Sequence, residues 1–280
     1  MRKAMIGIVA LAMVLLSSTG FAQQKTNQQK FELPIHSFEI GPEVSNIEYK
    51  EPGVMKEDGI MYGIGAAYTY RNNASMFRVE GKYSYGQVDY QNSGTVDGID
   101  DYMFEIRGLL GRDYKISDKS IITPYIGFGY RYLNDDMSGK ISSTGAYGYE
   151  RESNYYYTPI GVKTLSDMGN GWSWGITAEF DYFWRGRQYS YLSDVSAVAY
   201  SDADNTQNDG YGLRGSVRVQ GKGDTVSFVV EPFIRYWEIE RSEYDYVLYK
   251  GVPNTAVVEP ENESTEIGVM FMVLFYYLGN

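Results

Sequence analysis

Residues 172–185 alternate strictly enough to fix what kind of element they form. Trp172, Trp174, Ile176, Ala178, Phe180, Tyr182 and Trp184 share one parity; Ser173, Gly175, Thr177, Glu179, Asp181 and Arg185 share the other, broken only by Phe183. Successive side chains of a strand point to opposite faces, so a period of two means a strand with one apolar and one polar row. The apolar row is also graded along its length, aromatic at both ends and aliphatic in the middle. A soluble sandwich or lipocalin-like barrel alternates as well, with its apolar row turned inward. It has no cause to place amphipathic rings at the row's ends, whereas a bilayer has two water interfaces that do.

The same period recurs along the chain. Residues 76–88 set Phe77, Val79, Tyr83 and Tyr85 against Arg78, Glu80, Lys82 and Ser84; residues 101–115 set Tyr102, Phe104, Ile106 and Leu110 against Glu105, Arg107 and Asp113. Residues 120–133 set Ile122, Ile126, Phe128, Tyr130 and Tyr132 against Thr123, Tyr125, Gly127, Gly129 and Arg131. Six more segments follow the pattern, near 35–49, 59–71, 154–165, 210–221, 225–240 and 264–278. The expectation is an all-β chain forming one antiparallel transmembrane barrel of ten strands, an even number, with eight or twelve as the neighbouring alternatives. Its connections alternate in length. Residues 71–75, 117–119, 167–171 and 221–224 are short and rich in Gly, Asn, Asp or Ser, as hairpin turns require. Those near 50–58, 89–100, 134–153, 187–209 and 241–263 are long and polar. Short periplasmic turns and long extracellular loops are the corresponding asymmetry of a membrane barrel, and an even strand count puts both termini on the turn side.

Composition excludes several chemistries. The chain has 28 Tyr and 31 Gly in 280 residues but no Cys and one His, His36. Without cysteine there is no disulfide framework, thiolate metal site, thiol nucleophile or lipidated N-terminus, and one histidine leaves no basis for a His-rich zinc site. No cofactor and no metal is expected. The first residues read as an export signal: Arg2 and Lys3, an apolar run from Ala4 to Leu16, and a small-x-small site at Gly20-Phe21-Ala22. Cleavage after Ala22 divides the chain into a signal peptide (1–22), a short periplasmic segment (23–32) and the barrel (33–280). It also lowers the basic count from 25 to 23 against 36 acidic residues, a charge of −13 that argues against nucleic acid as a partner.

With these features the chain resembles the small Gram-negative outer-membrane β-barrel proteins, the group that includes OmpA-like transmembrane domains and opacity-type surface barrels. The resemblance spans the chain from about residue 31 to its end and rests on architecture. It implies residence in the outer membrane among lipid and lipopolysaccharide, insertion by the barrel-assembly machinery, and a monomer. Such barrels commonly end on an aromatic residue; here Tyr276-Tyr277 precede Leu278-Gly279-Asn280.

Two enzyme groups share this location. Omptin proteases use acidic residues with a histidine at the extracellular rim, but His36 opens the first strand at the opposite edge. Outer-membrane lipid hydrolases pair Ser with His, yet His36 and Ser37 are adjacent in a strand and face opposite ways. His36 shares parity with Phe38 and Ile40, which makes it an outward interfacial residue. No catalytic residue is assigned, and the Asp202-x-Asp204-Asn205 fragment lacks the downstream Gly and Glu of a calcium loop.

The polar row carries the distinctive chemistry. Parity places Arg78, Lys82, Arg107, Arg131, Lys163, Arg185, Arg214, Arg218 and Arg235 in the lumen with Glu80, Glu105, Glu179, Asp181, Glu231 and Glu266. Both signs in one narrow interior favour a paired network filling the barrel over a selectivity ring. Outward, Trp172, Trp174, Phe180, Tyr182, Trp184, Phe271, Phe275 and Tyr277 form the lipid-facing and girdle set. The loops hold Tyr189, Tyr191, Tyr200, Tyr244, Tyr246 and Tyr249 among acidic residues, either to meet an extracellular ligand or to pack on one another. A surface or structural role without enzymatic activity is the first expectation, a narrow channel for small solutes or ions the second, and a membrane-embedded hydrolase the third.

Overall fold

The computed structural model describes residues 33–221, 223 and 226–277. The signal peptide and the 23–32 segment lie outside the described residues, as do Leu278-Gly279-Asn280 and the side chain of Tyr277.

Ten long antiparallel strands close into a barrel: β1 (His36–Glu51), β2 (Met55–Asn72), β3 (Ser75–Asn92), β4 (Gly94–Arg112), β6 (Ser120–Asp136), β7 (Glu150–Gly169), β8 (Trp172–Ser190), β10 (Gly210–Gly221), β11 (Val226–Ile239) and β14 (Asn262–Tyr277). Closure is made where β14 returns to β1, pairing Phe275 with Phe38 and Val269 with Val44. A closed ring leaves no backbone donor facing lipid, the condition for crossing a bilayer with strands. Among the described residues no helix is long and apolar enough to cross a membrane.

Two short strands extend the wall. β5 (Tyr114–Ser117) continues β4 along β6, and β9 (Ala203–Gln207) pairs with Gly186–Ser190 at the loop end of β8. β12 (Asp245–Tyr249) and β13 (Val252–Val257) form a separate hairpin within the last long loop.

The β2–β3 and β7–β8 turns are built from left-handed residues. Asn73 and Ala74 both take positive φ, 46° and 68°, and Gly169, Asn170 and Gly171 take 76°, 55° and 78°. At Asn73–Ala74 the two successive left-handed residues twist the hairpin in the same sense as its strands.

The loop side differs from expectation. The segments near 50–58 and 89–100 are not loops: β1 and β2 are joined by Pro52–Val54 alone, and β3 and β4 by Ser93 alone. Strands β1–β4 and β6–β8 run 16–20 residues, whereas about 9–11 tilted residues span a bilayer. Their outward rows explain the polarity that made these segments look like loops. Past Tyr62, Tyr85 and Tyr102 the outer face bears Glu48, Lys56 and Asp58, joined by ion pairs of 3.0 and 2.9 Å. The chain turns polar because it leaves lipid, not because it leaves the sheet.

Candidate functional site

The candidate site is the barrel interior, because that is where charge accumulates in a low-dielectric enclosure. Eight Arg or Lys and eight Asp or Glu point into it over the membrane-spanning stretch, in three tiers. Nearest the turn end, Arg78 of β3 donates to Glu39 at 2.9 Å and to Glu80 at 2.6 Å. Arg218 of β10 reaches the same Glu39 from the other side at 2.9 Å and Glu231 at 3.2 Å. Lys163 stands 3.8 Å from Glu80.

In the middle tier Arg107 bridges Glu80 and Glu179. Arg214 is enclosed by Glu105, by Asp181 at 2.6 Å and by Glu179 at 3.2 Å. Two tyrosine hydroxyls complete these carboxylates: Tyr125 donates to Glu179 at 2.6 Å and Tyr157 to Glu105 at 2.5 Å. Above them, Lys82 donates to Glu266 at 2.7 Å and Arg131 to the same carboxylate at 3.1 Å. Arg235 holds Glu43 through both terminal nitrogens, at 2.8 and 2.9 Å, and touches Glu266 at 3.1 Å. Removing one partner from such a pair leaves a buried, uncompensated charge, which is far costlier than removing both.

The third tier carries an apolar plug on its loop side. Tyr155, Tyr157, Phe183, Trp237 and Ile239 are buried together, and Ile47, Met61, Val88, Ile99 and Met103 form a second buried group. Tyr157 meets Trp237 edge-on at 4.9 Å between ring centroids. The guanidinium groups of Arg131 and Arg214 lie over the Trp237 ring at 5.5 and 5.6 Å, so charge and plug are one packed unit.

Beyond the plug, Arg151 of β7 binds Glu51 at 2.7 Å, Asp135 at 3.0 Å and Glu57 at 3.4 Å. Glu259, from the segment between β13 and β14, joins this cluster through Tyr49, whose hydroxyl is 3.3 Å from both Glu51 and Glu259. Burial pushes the Glu259 carboxyl up to about 7 against the opposing pull of Arg151.

Most residues assigned to the lumen by parity occupy it: Arg78, Glu80, Lys82, Glu105, Arg107, Arg131, Lys163, Glu179, Asp181, Arg214, Arg218, Glu231, Arg235 and Glu266 are those just described. Arg185 is the exception. A β-bulge in β8 sets Tyr156 opposite Arg185 and Tyr157 opposite Phe183, leaving Trp184 unpaired. Parity therefore flips after Trp184, and Arg185 points outward, 3.5 Å from the Thr206 hydroxyl. Phe183 is correspondingly no break in the alternation but an inward plug residue. Trp172, Trp174, Phe180, Tyr182, Trp184, Phe271 and Phe275 all face outward and are exposed.

Sequence reasoning missed Glu39 and Glu43, because Gly41 and Pro42 interrupt the alternation of β1. It also missed the cluster around Arg151, whose members fall in segments read as loops. His36 faces outward, its Nδ1 2.8 Å from the Tyr68 hydroxyl. Asp100 and Asp101 split across the wall, the first exposed and the second buried. Asp204 pairs with Arg187, and Asp202 accepts the Ser193 amide at 3.0 Å. Of the loop tyrosines, Tyr200 packs on Tyr249 at 5.5 Å between centroids, while Tyr244 and Tyr246 are exposed.

Cavities divide along the same lines. One of about 210 Å³ extends from Leu33, Ile121 and Leu274 at the turn end to Arg107 and Arg214. Another of about 30 Å³ lies at the loop end among Glu57, Asp101, Asn134 and Arg151. The plug and the third charge tier separate them.

No curated protein matches the chain in sequence. Among solved structures it is similar to the translocator domain of the autotransporter NalP from Neisseria meningitidis, at 9% identity over 89% of this chain and 90% of that one, with a TM-score of 0.44. It is similar also to the Ralstonia pickettii toluene transporter TbuX, at 9% identity over 88% and 90% and a TM-score of 0.38. For the Neisserial surface protein NspA the identity is 12% over 86% and 97%, with a TM-score of 0.31. Residues 9–186, well over half of the chain, match the family described as outer membrane protein beta-barrel domain, and the closed barrel continues past that match through β10, β11 and β14. The chain belongs to that family and is an outer-membrane β-barrel.

Proposed function

We propose that this barrel has a non-enzymatic surface or structural role in the outer membrane and is closed to bulk flow. The observation that carries this reading is the packed unit of charge tiers and plug, centred on Trp237, Arg131 and Arg214, which stands between the two cavities. In a barrel only slightly wider than one filled by its own side chains, that much paired charge braces the wall from within. The loop end, with β9 and the β12–β13 hairpin, faces the outside and supplies the contact surface, while the turns face the periplasm. Export by a signal peptide cleaved after Ala22, insertion by the barrel-assembly machinery and a monomeric state are parts of the same reading.

A narrow conduit for small solutes is the second reading, favoured by the cavity of about 210 Å³ that runs from the turn end halfway into the lumen. Swelling of proteoliposomes in small sugars separates the two. A closed barrel gives the rate of protein-free liposomes, whereas a conduit gives swelling that grows with protein loading and falls with solute size.

A further inference from the structure

The turn-end cavity has the features of a binding pocket, beyond the role proposed for the barrel as a whole. Its wall carries eight arginine or lysine side chains and five glutamates. Seven of those eight cations make a hydrogen-bonded ion pair: Arg71 with Asp113 at 3.1 Å, Lys82 with Glu266 at 2.7 Å, and Arg78, Arg107, Arg214, Arg218 and Arg235 as already described. Lys163 is the eighth. Among the described residues its ammonium, with three protons to donate, makes no hydrogen bond; its nearest carboxylate oxygen, on Glu80, is 3.8 Å away, and that glutamate is already held by Arg78 and Arg107. Lys163 also lies over the Tyr125 ring at 5.3 Å, and its side chain keeps 27% exposure within the cavity, which leaves its protons open to a ligand.

Immediately towards the turn end, on the β6–β7 side, the lining becomes apolar. Leu165 follows Lys163 on the same face of β7, and Ile121 pairs with Leu165 from β6 just as Thr123 pairs with Lys163. Met76, Met272 and Leu274 also line this end, and Arg71, opposite Met76 in the β2–β3 register and held by Asp113, is the charged member of a largely apolar collar. A cationic seat therefore lies one residue row deeper than this largely apolar collar, in a cavity of about 210 Å³. That is smaller than the roughly 300–1,000 Å³ that holds a drug-sized ligand.

We propose that this cavity binds a short-chain monocarboxylate, its carboxylate on Lys163 Nζ and its alkyl chain against Ile121, Leu165 and Met272. The ligand enters head first from the periplasmic side. The arrangement supplies the one hydrogen-bonded counter-ion that Lys163 lacks and covers the collar with hydrocarbon.

The test is calorimetric titration of sodium hexanoate into the full barrel held in lipid nanodiscs. Saturable binding is expected, weakened about tenfold or more in Lys163→Met and kept within about threefold in Lys163→Arg. Acetate and 1-hexanol, which lack the tail and the charge respectively, bind at least about tenfold more weakly than hexanoate. Leu165→Trp, which fills the collar and leaves the charges intact, abolishes the advantage of hexanoate over acetate and serves as the second variant should Lys163→Met not fold. Absence of saturable binding in the wild type, unchanged affinity in a folded Lys163→Met, or equal affinity for hexanoate and hexanol overturns the proposal. Equal affinity for hexanoate and acetate in the wild type overturns it too, because no tail would then be recognised.

Discussion

Arg214 of β10 and Glu105 of β4 meet across the lumen, Nη1 donating to Oε2 at 2.8 Å, although three strands separate them on the shorter way round the wall. Sheet hydrogen bonds hold neighbours together; this contact holds opposite sides. Glu105→Gln leaves Arg214 with Asp181 and Glu179 but removes the cross-lumen charge, so stability falls. Breaking a buried pair from one side costs about 3–5 kcal/mol, and the remaining carboxylates keep the loss below that. Replacing both, as Glu105→Gln with Arg214→Met, costs less than Arg214→Met alone. Urea unfolding followed by heat-modifiable gel mobility reads all three; additive losses contradict the coupling.

The plug gives a second prediction. Trp237 is almost wholly buried beneath Arg131 and against Tyr157. Trp237→Ala costs about 3–5 kcal/mol, as for large aromatic truncations elsewhere. Trp237→Phe keeps most of the volume and costs less. Equal losses for the two variants would show that the ring does not pack as described.

Glu259 gives the loop end a pH dependence. Burial raises its carboxyl to about 7, so the folded arrangement favours the protonated form. The stabilisation is present at low pH and declines as pH rises through about 7. Ser242 and Glu259 are joined through backbone and side chain, at 3.0 and 2.8 Å, which ties this carboxyl to the base of the β12–β13 hairpin. Limited proteolysis of the hairpin is therefore faster at pH 8.5 than at pH 6 relative to Glu259→Gln measured under the same conditions. A constant ratio contradicts the linkage.

Topology is testable because the chain has no native cysteine. Val198 is 87% exposed in the segment between β8 and β9, and Asn73 sits in the β2–β3 turn. On intact cells, Val198→Cys reacts with an impermeant maleimide and Asn73→Cys reacts only after lysis. The reverse pattern would invert the barrel.

The sequence disclosed the wall better than the interior. Alternation located all ten barrel strands, because a lipid-facing row must stay apolar over every residue that lipid touches. It failed where that rule stops. Glu51, Glu57 and Asp135 lie in strand that has risen out of the bilayer, so both rows there are polar and read as loop. Arg185 was misplaced by a single bulge at Trp184, since one extra residue exchanges the faces of everything after it. Which lumen charges pair was beyond parity: Glu39 joins Arg78 and Arg218 only because closure brings β1, β3 and β10 around one interior. By parity Lys163 is one lumen cation among several, and only the pairing of Glu80 with Arg78 and Arg107 sets it apart.

The most direct measurement is single-barrel conductance in planar bilayers. A lumen closed by the charge tiers and the Trp237 plug gives no steady open level in the wild type. Trp237→Ala combined with Tyr157→Ala, if folded, gives a leak. A large, steady, ion-selective conductance in the wild type, with selectivity reversed by Glu179→Gln and Asp181→Asn and stability unchanged, would contradict a closed barrel and make the same charges the lining of a pore.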